Sequence, residues 1–552
     1  MQSSSSSTRV RTLLLALLAA FCLVAFTQRW LQDDAYITYR YSKNLASGLG
    51  AVWNPGYAVE GYTNFSWMLL IAGCIKLGIP AEQATHLLSI PLFVGSLALT
   101  FGIARRVLKD DRWALLTMAL TGANYSFLMY STGGLETQLN TTLTLASLLL
   151  VVRAVQRRVV TAGSAAGLSV LVALAMMTRP DSIILMLVSF GSMAFVALKF
   201  EGVRPATLGR VLLLLLPAAL LLVPWLVWKQ HFYGGILPNT FYVKLGIHRP
   251  GTYLRGLAYV AWPFLSYWWL PILLLLSVKA RLRLLPSGPA AFPLIAYTVI
   301  WLAYAIRIGG DIMEFRQLIC VFPLLILMLV ACWREAFPKL ESAAVLAVVL
   351  VLSSVTHGLF FGSYEKPPGL GNIPVLTSTT LRWSQMGQRL LADLGRNSAV
   401  TIAISPAGAI PYWSGLRAID ILGLSDKWVA RNGYVRQKCD VCAGHLRLST
   451  FQYLEQAGTN LVLGHPQESD FGAPVPDATS IVERMFYGEQ LDYSRIPEDA
   501  QLLQIPLSEH ESLLALYLQR DPSIDSLIAR KVWKAQAIER QAPGWAHNTA
   551  QP

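Results

Sequence analysis

The sequence predicts a polytopic α-helical membrane protein of about eleven transmembrane helices, followed by a C-terminal external α/β domain. Three observations carry that prediction. Of the 552 residues, 54% are hydrophobic and only 14% charged, where a soluble domain is nearer a quarter charged; the mean hydropathy is +0.47. Apolar runs long enough to cross a bilayer recur along the first 360 residues. The charge is also uneven: of 45 Lys/Arg and 32 Asp/Glu, residues 361–552 hold 17 and 19, leaving 28 and 13 in residues 1–360. The excess of cations therefore belongs to the membrane part, where it reads as orientation rather than as nucleic-acid binding.

The first run, "TLLLALLAAFCLVAF", follows Arg9 and Arg11 as a signal peptide would. A small-residue cleavage pattern is missing and Gln28–Arg29–Trp30 follows, so an uncleaved anchor is expected. Spans are expected near 11–29, 84–105, 113–131, 135–152, 160–177, 182–199, 211–228, 258–278, 290–306, 316–333 and 342–360. The run "FSWMLLIAGCIKLGI" (65–79) is short and contains Lys76. Counting it as a span would turn every later basic loop outward. Laid along the outer interface, it leaves all the basic clusters inside: Arg105/Arg106/Lys109/Arg112, Arg153/Arg157/Arg158, Lys199/Arg204/Arg210, Lys279/Arg281/Arg283 and Arg334/Lys339. The positive-inside rule selects the second arrangement.

That topology puts the N-terminus in the cytoplasm and the C-terminus outside the cytoplasmic membrane of a bacterium. Residues 1–360 form the membrane domain, with 30–83 as a long first external loop carrying an interfacial helix. Residues 361–552 form the external domain, in which "AVTIAI" (399–404) and "LVLG" (461–464) read as buried strands and 379–394 and 449–457 as helices.

The unusual polar residues gather on the outer side. Asp33 and Asp34 stand directly after the first span, and Arg40, Asn54, Glu60, Tyr62 and Asn64 follow in the loop. Short outer turns carry Glu136 ("STGGLET"), Arg179 and Asp181 ("TRPD"), and Asp311, Glu314 and Arg316 ("RIGGDIMEFRQ"); Asn239 and Lys244 lie between spans seven and eight. Ionisable groups at a membrane edge point to function. Each also has an ordinary reading: "TRPDS" suits a helix start with Pro and Asp at a positive dipole end, and Asp33–Asp34 suits a solvated cap for a helix over 35–46.

A mixed-charge outer cavity fits a lipid-linked phosphosugar. Arg179, Lys244 and Arg316 are the candidates to hold the phosphate. One carboxylate of the Asp33–Asp34 pair would take the acceptor's proton, since a like-charged neighbour and partial desolvation both raise a carboxyl pKa.

The stretch "DDAYITYRYSKNLASGLGAVWNPG", followed by "VEGYTNFSW", resembles the first external loop of bacterial GT-C glycosyltransferases that use polyprenyl-phosphate sugars. "TGGLET", "TRPD", "YGGILPNTFYVK", "GGDIMEFRQLICVFPLL" and "AGAIPYWSGLRAIDILGLSD" fit the same group in the same order, from about residue 30 to about 430. Within it, the pattern is most similar to the mycobacterial terminal arabinofuranosyltransferase and to the pilin arabinofuranosyltransferases. The resemblance implies a GT-C-like membrane domain, a catalytic acid at Asp33 with Asp34 beside it, and inverting transfer on the outer face. It implies a decaprenyl- or undecaprenyl-phosphate sugar donor, with D-arabinofuranose as the sugar of the group most resembled, and an envelope glycan, lipid or pilin-like acceptor. Glu60, Asn64, Glu136, Arg179, Asn239, Lys244, Asp311 and Arg316 stand where family members line the cavity; Glu314 departs from the family, which often has a small residue or Pro there. The transfer is metal-independent or metal-assisted, no cofactor is implied, and no metal ligands can be picked out.

Cys22, Cys74, Cys320 and Cys332 fall in apolar helices as packing residues. Cys439 and Cys442 ("CDVC") read as a local external disulfide. His231, His248 and His357 sit near outer boundaries with an interfacial role. Most Trp and Tyr residues form an aromatic belt, while Trp53 and Tyr62 are placed to stack on a sugar. The alternative function, a polyprenyl-linked lipid or saccharide transporter, would require polar or broken midplane helices and paired repeats. The midplane segments here are rich in Leu, Ala and Val, which favours the enzyme.

Overall fold

The computed structural model describes residues 2–244, 251–279, 288–360, 370–396, 398–437, 445–489 and 491–538. The chain forms two compact units, each assembled from separate stretches of sequence. One comprises Met1–Leu31, Thr63–Gly234 and Pro250–Pro374; the other comprises Gln32–Tyr62, Gly235–Arg249 and Val375–Pro552.

The first unit is helical. Six of its helices are long and apolar enough to cross a membrane among the described residues: Thr8–Thr27, Ala81–Leu108, Thr137–Arg157, Pro180–Glu201, Pro205–Tyr233 and Glu341–Phe360. A seventh candidate is a pair, Gly251–Ser266 and Trp269–Val278, bent by 77°. The bend falls where Trp268 takes a left-handed φ of 56°, a conformation that ends a right-handed helix.

The other four expected spans are shorter, and local chemistry explains each. The run 113–131 divides into Asp111–Gly122 and Tyr125–Met129, because the Asn124 side chain accepts from Phe127 N and starts a new helix. Ala162–Thr178 stops before Arg179, held extended ahead of Pro180. Phe292–Arg307 carries Pro293 in its first turn. Phe322–Ala336 begins only after Phe315, whose φ of 49° interrupts the run. The ambiguous segment is the helix Phe65–Lys76 of 12 residues. At about 1.5 Å per residue it is about 18 Å long, too short for a hydrocarbon core of about 30 Å. Its Trp67 is buried and donates to Gly134 O at 3.0 Å. Within the unit, Ala162–Thr178 packs on Pro205–Tyr233, and Ala81–Leu108 packs on both Asp111–Gly122 and Thr137–Arg157.

The second unit is built on a sheet. Its strands are β1 (Thr401–Ile404), β2 (Arg417–Asp420), β3 (Tyr434–Val435), β4 (Arg447–Leu448), β5 (Leu461–Asp470), β6 (Gln501–Pro506), β7 (Glu511–Tyr517) and β8 (Lys534–Ala537). Six of them form one sheet in the order β2-β1-β5-β7-β6-β8, with β3 and β4 pairing separately. β1 runs parallel to both β2 and β5, and the remaining pairs in the sheet are antiparallel. The expected strands thus appear as β1 and β5, and the expected helices as Ile373–Leu394 and Phe451–Gln456. One core beside the sheet joins Val462, Leu514 and Leu516 to Ile481, Val482, Met485 and Phe486. The first-loop helix Asp33–Ala46 belongs to this unit and packs on the short helix Ala409–Ser414.

Candidate active site

In the sheet-containing unit, the adjacent acids do not form a solvated cap. The N-cap of the helix Asp33–Ala46 is Gln32, whose side chain accepts from Asp34 N at 3.1 Å. Asp33 is buried, and its Oδ1 accepts the backbone N–H of Ala409 at 2.7 Å. Burial, with the like charge of Asp34 adding to it, pushes the Asp33 carboxyl from 3.8 up to about 7, against the lowering effect of the Ala409 and Gly408 N–H groups. Close approach requires glycine at 408: a Cβ there would collide with the Asp33 backbone carbonyl.

Arg40 and Asn54 lock this helix to the segment after β1. The Arg40 guanidinium donates to Trp53 O at 2.7 Å, Leu416 O at 2.7 Å, Asn54 Oδ1 at 3.0 Å and Pro411 O. Asn54 pairs with the backbone of Ala418, donating to its carbonyl at 2.7 Å and accepting from its N–H at 3.2 Å. Both expected ligand-binding side chains are thus committed within the protein. Trp53 is fully buried under the Arg40 guanidinium, 5.0 Å from its ring centre, and Tyr62 is buried edge-on to Tyr41. Neither ring offers the open face expected for stacking on a sugar.

Glu60 is buried, and its carbonyl accepts from Asn239 N at 2.9 Å. The Asn239 side chain donates to the carbonyls of Gly423, Leu424 and Asp426. Lys244 closes the helix Asn239–Lys244, and its side chain lies outside the described residues, as do Cys439, Cys442 and His248.

A residue the sequence reasoning missed is Asp420, at the end of β2. It is fully buried and accepts from the N–H groups of Leu422, Gly423 and Ser425, while burial pushes it up to about 7. The quoted "AIDILGLSD" contained it, but only folding shows that its carboxylate organises the turn.

In the helical unit, the charges of the short outer turns form a network. Arg179 donates to both oxygens of Asp181, at 3.1 and 2.7 Å, to Glu136 Oε1 at 3.2 Å and to Gln317 Oε1 at 2.8 Å. Asn64 donates to Glu136 Oε2 at 2.9 Å, and Gln317 to Asp181 Oδ2 at 3.1 Å. Arg316 pairs with Asp311 at 2.7 Å, and Asp311 also accepts from Ile312 N. Asn64, Glu136, Arg179 and Asp181 therefore come together, while Arg316 and Asp311 make a second pair.

Glu314 is fully buried beside them in sequence. It accepts from Ser126 Oγ at 2.7 Å and from Ile373 N at 3.2 Å, and its Oε1 lies 2.9 Å from His357 Nε2. His357, read from the sequence as interfacial, is buried against this carboxylate. No spacing rule joins residues 126, 314 and 357. Among the described residues, no group of three or more His, Cys, Asp or Glu side chains is placed to hold a metal ion.

Comparison with known proteins agrees with the resemblance seen in the sequence. Residues 374–504 match a family described as a domain of unknown function (DUF8728). The chain is 28% identical over 364 residues to the terminal β-(1→2)-arabinofuranosyltransferase of Corynebacterium glutamicum, covering 57% of this chain and 50% of that protein. It is 26% identical over 344 residues to the enzyme of the same name from Mycobacterium tuberculosis, covering 53% and 51%. The chain thus spans about half the length of the curated relatives it matches. Its fold is similar to that of ArnT from Cupriavidus metallidurans, crystallised with undecaprenyl phosphate, with a TM-score of 0.55 and 12% identity over 91% of this chain and 97% of that one.

Proposed function

We propose that this chain, a membrane protein of GT-C-like fold related to terminal arabinofuranosyltransferases, is a glycosyltransferase that moves D-arabinofuranose from a polyprenyl-phosphate donor to an envelope acceptor. The reaction takes place on the outer face of the cytoplasmic membrane. The apolar helices form a membrane domain with the N-terminus inside and residues 361–552 outside. The observation that carries the reading is Asp33: a buried carboxyl raised to about 7, next to a second carboxyl, in the loop that resembles the family's catalytic loop.

A base works best when its pKa lies near the operating pH, because it is then both ionised and strong enough to take a proton. An ordinary surface aspartate, at 3.8, is a much weaker base. The Ala409 N–H fixes one carboxyl oxygen and orients the group. As the acceptor hydroxyl attacks the anomeric carbon, Asp33 takes its proton, the bond from that carbon to the donor phosphate breaks, and polyprenyl phosphate leaves with the bonding electrons. Asp34 tunes its neighbour by like-charge repulsion. Lys244 is the cation proposed for the phosphate, since the Arg316 guanidinium is taken by Asp311. Arg179 is already shared between two carboxylates and acts by holding the Glu136 and Asp181 turns together.

The test is transfer by purified protein from decaprenyl-phosphate arabinose to an arabinan acceptor. Wild type is expected to transfer and Asp33→Asn to lose transfer while keeping its fold. Near-normal transfer by both Asp33→Asn and Asp34→Asn would overturn the assignment.

A further inference from the structure

The sheet-containing unit holds a second cluster of aromatic and basic side chains, drawn from separate stretches of chain and unused by the chemistry above. Trp428 and Tyr453 stack with ring centroids 4.1 Å apart and planes 4° from parallel. A single carboxylate fixes both rings. Asp426 Oδ1 accepts Val429 N at 2.9 Å, starting the turn that carries Trp428, and its Oδ2 accepts the Tyr453 hydroxyl at 2.7 Å. Tyr57 joins from the first loop, its hydroxyl accepting Lys427 N at 3.1 Å. All three rings are half-buried, so each keeps part of its surface open.

Two guanidinium groups lie within electrostatic reach of Tyr57. Arg431 lies 4.9 Å from the Tyr242 ring centre, and both Arg431 and Arg417 are close enough to Tyr57 to act on its hydroxyl electrostatically. Both arginines are exposed, and among the described residues neither pairs with a carboxylate. This separates them from Arg40, Arg179 and Arg316, whose guanidinium groups are occupied within the protein. The half-buried Trp428–Tyr453 stack, fixed through Asp426, offers apolar ring surface with exposed arginines nearby as hydrogen-bond donors. A sugar ring has the complementary surface: a C–H face and a rim of hydroxyls. A pre-fixed platform also spares the entropy cost of ordering aromatic side chains on binding.

We infer that Trp428, Tyr453 and Tyr57, with Arg417 and Arg431, form a saccharide-binding surface that holds the glycan chain of the acceptor. The identification of that glycan as the acceptor rests on the glycosyltransferase reading; saccharide binding itself does not.

The test uses the full-length chain in detergent, titrated calorimetrically with arabinofuranose and hexopyranose oligosaccharides and, separately, with inorganic phosphate. Binding of at least one oligosaccharide is expected. Trp428→Ala should weaken it about tenfold, as expected for loss of a stacking ring, and Trp428→Phe should recover part of the loss. Arg417→Gln with Arg431→Gln, at exposed positions, provides a second variant that leaves the stack intact and should also weaken binding. In the transfer assay, the same variants should raise KM for the acceptor with little change in kcat or in KM for the donor. Binding without any transfer would sustain this surface and defeat the enzymatic reading. Failure to bind every oligosaccharide, binding of phosphate alone, or wild-type affinity in both sets of variants would overturn the inference.

Discussion

At the scale of single residues, Asp33 makes the sharpest predictions. General-base catalysis is worth about 10²- to 10⁴-fold, so Asp33→Asn should lower kcat by at least about 10²-fold, as measured by radiolabelled sugar transfer. In wild type, kcat/KM should rise with pH through an inflection near the value of about 7 set mainly by burial. Asp34→Asn removes the like charge and should move that inflection to lower pH. The same carboxyl affects stability in the opposite sense. Folding raises its pKa from 3.8 to about 7, so its stabilising contribution is full below 3.8 and is lost as pH rises toward 7. Thermal melts should therefore find Asp33→Asn more stable than wild type at pH 8 and little different near pH 4. Gly408→Ala should lower both activity and melting temperature, because its methyl meets the Asp33 backbone, with a cost of about 1–3 kcal/mol for overpacking.

At the scale of elements, two arginines, Arg40 buried and Arg179 part-buried, act as fasteners. Arg40 ties the helix Asp33–Ala46 to the segment that delivers the Ala409 N–H to Asp33. Lysine has neither the planar fork nor enough donors for those partners. Arg40→Lys should therefore cost about 2–4 kcal/mol, as expected for several buried acceptors left unsatisfied, and should speed amide exchange in that helix. Arg179→Met would leave Glu136 and Asp181 without their shared cation. The loss is about 3–5 kcal/mol, measured as a fall in the melting temperature of the detergent-solubilised protein. From sequence alone Arg179 reads as a phosphate ligand and Arg40 as a substrate-binding residue, because a guanidinium matches phosphate and carboxylate equally well. Only the folded partners distinguish the two uses. Element boundaries were similarly local in cause. Asn124, Pro180 and Pro293 each bear a recognisable start or stop signal, and a hydropathy window averages over them.

At the scale of the whole molecule, the topology has a direct test. A cysteine placed at Arg157, in a basic cluster assigned to the cytoplasm, should resist an impermeant thiol reagent in intact cells and react after permeabilisation. Ready labelling in intact cells would reverse the orientation. The four native cysteines in described segments, Cys22, Cys74, Cys320 and Cys332, should be replaced first to give a clean background.

The amino-acid sequence alone determined the class of the protein, the main apolar helices, the strands that became β1 and β5, and the first-loop segment that resembles a glycosyltransferase. These follow from periodicity, composition and local motifs, which are properties of neighbouring residues. Adjacency alone favoured helix capping for Asp33 and Asp34, and only the family resemblance brought Asp33 forward. Tertiary structure decided that Gln32 takes the cap and that Asp33 is buried, its Oδ1 accepting the N–H of Ala409, more than 370 positions away, with burial raising its pKa against that hydrogen bond. It also decided that Trp53 and Tyr62 are buried, that Glu314 faces Ser126 and His357, and that Trp428 stacks on Tyr453. Burial and long-range pairing depend on where distant segments meet, and no local pattern in one chain encodes that.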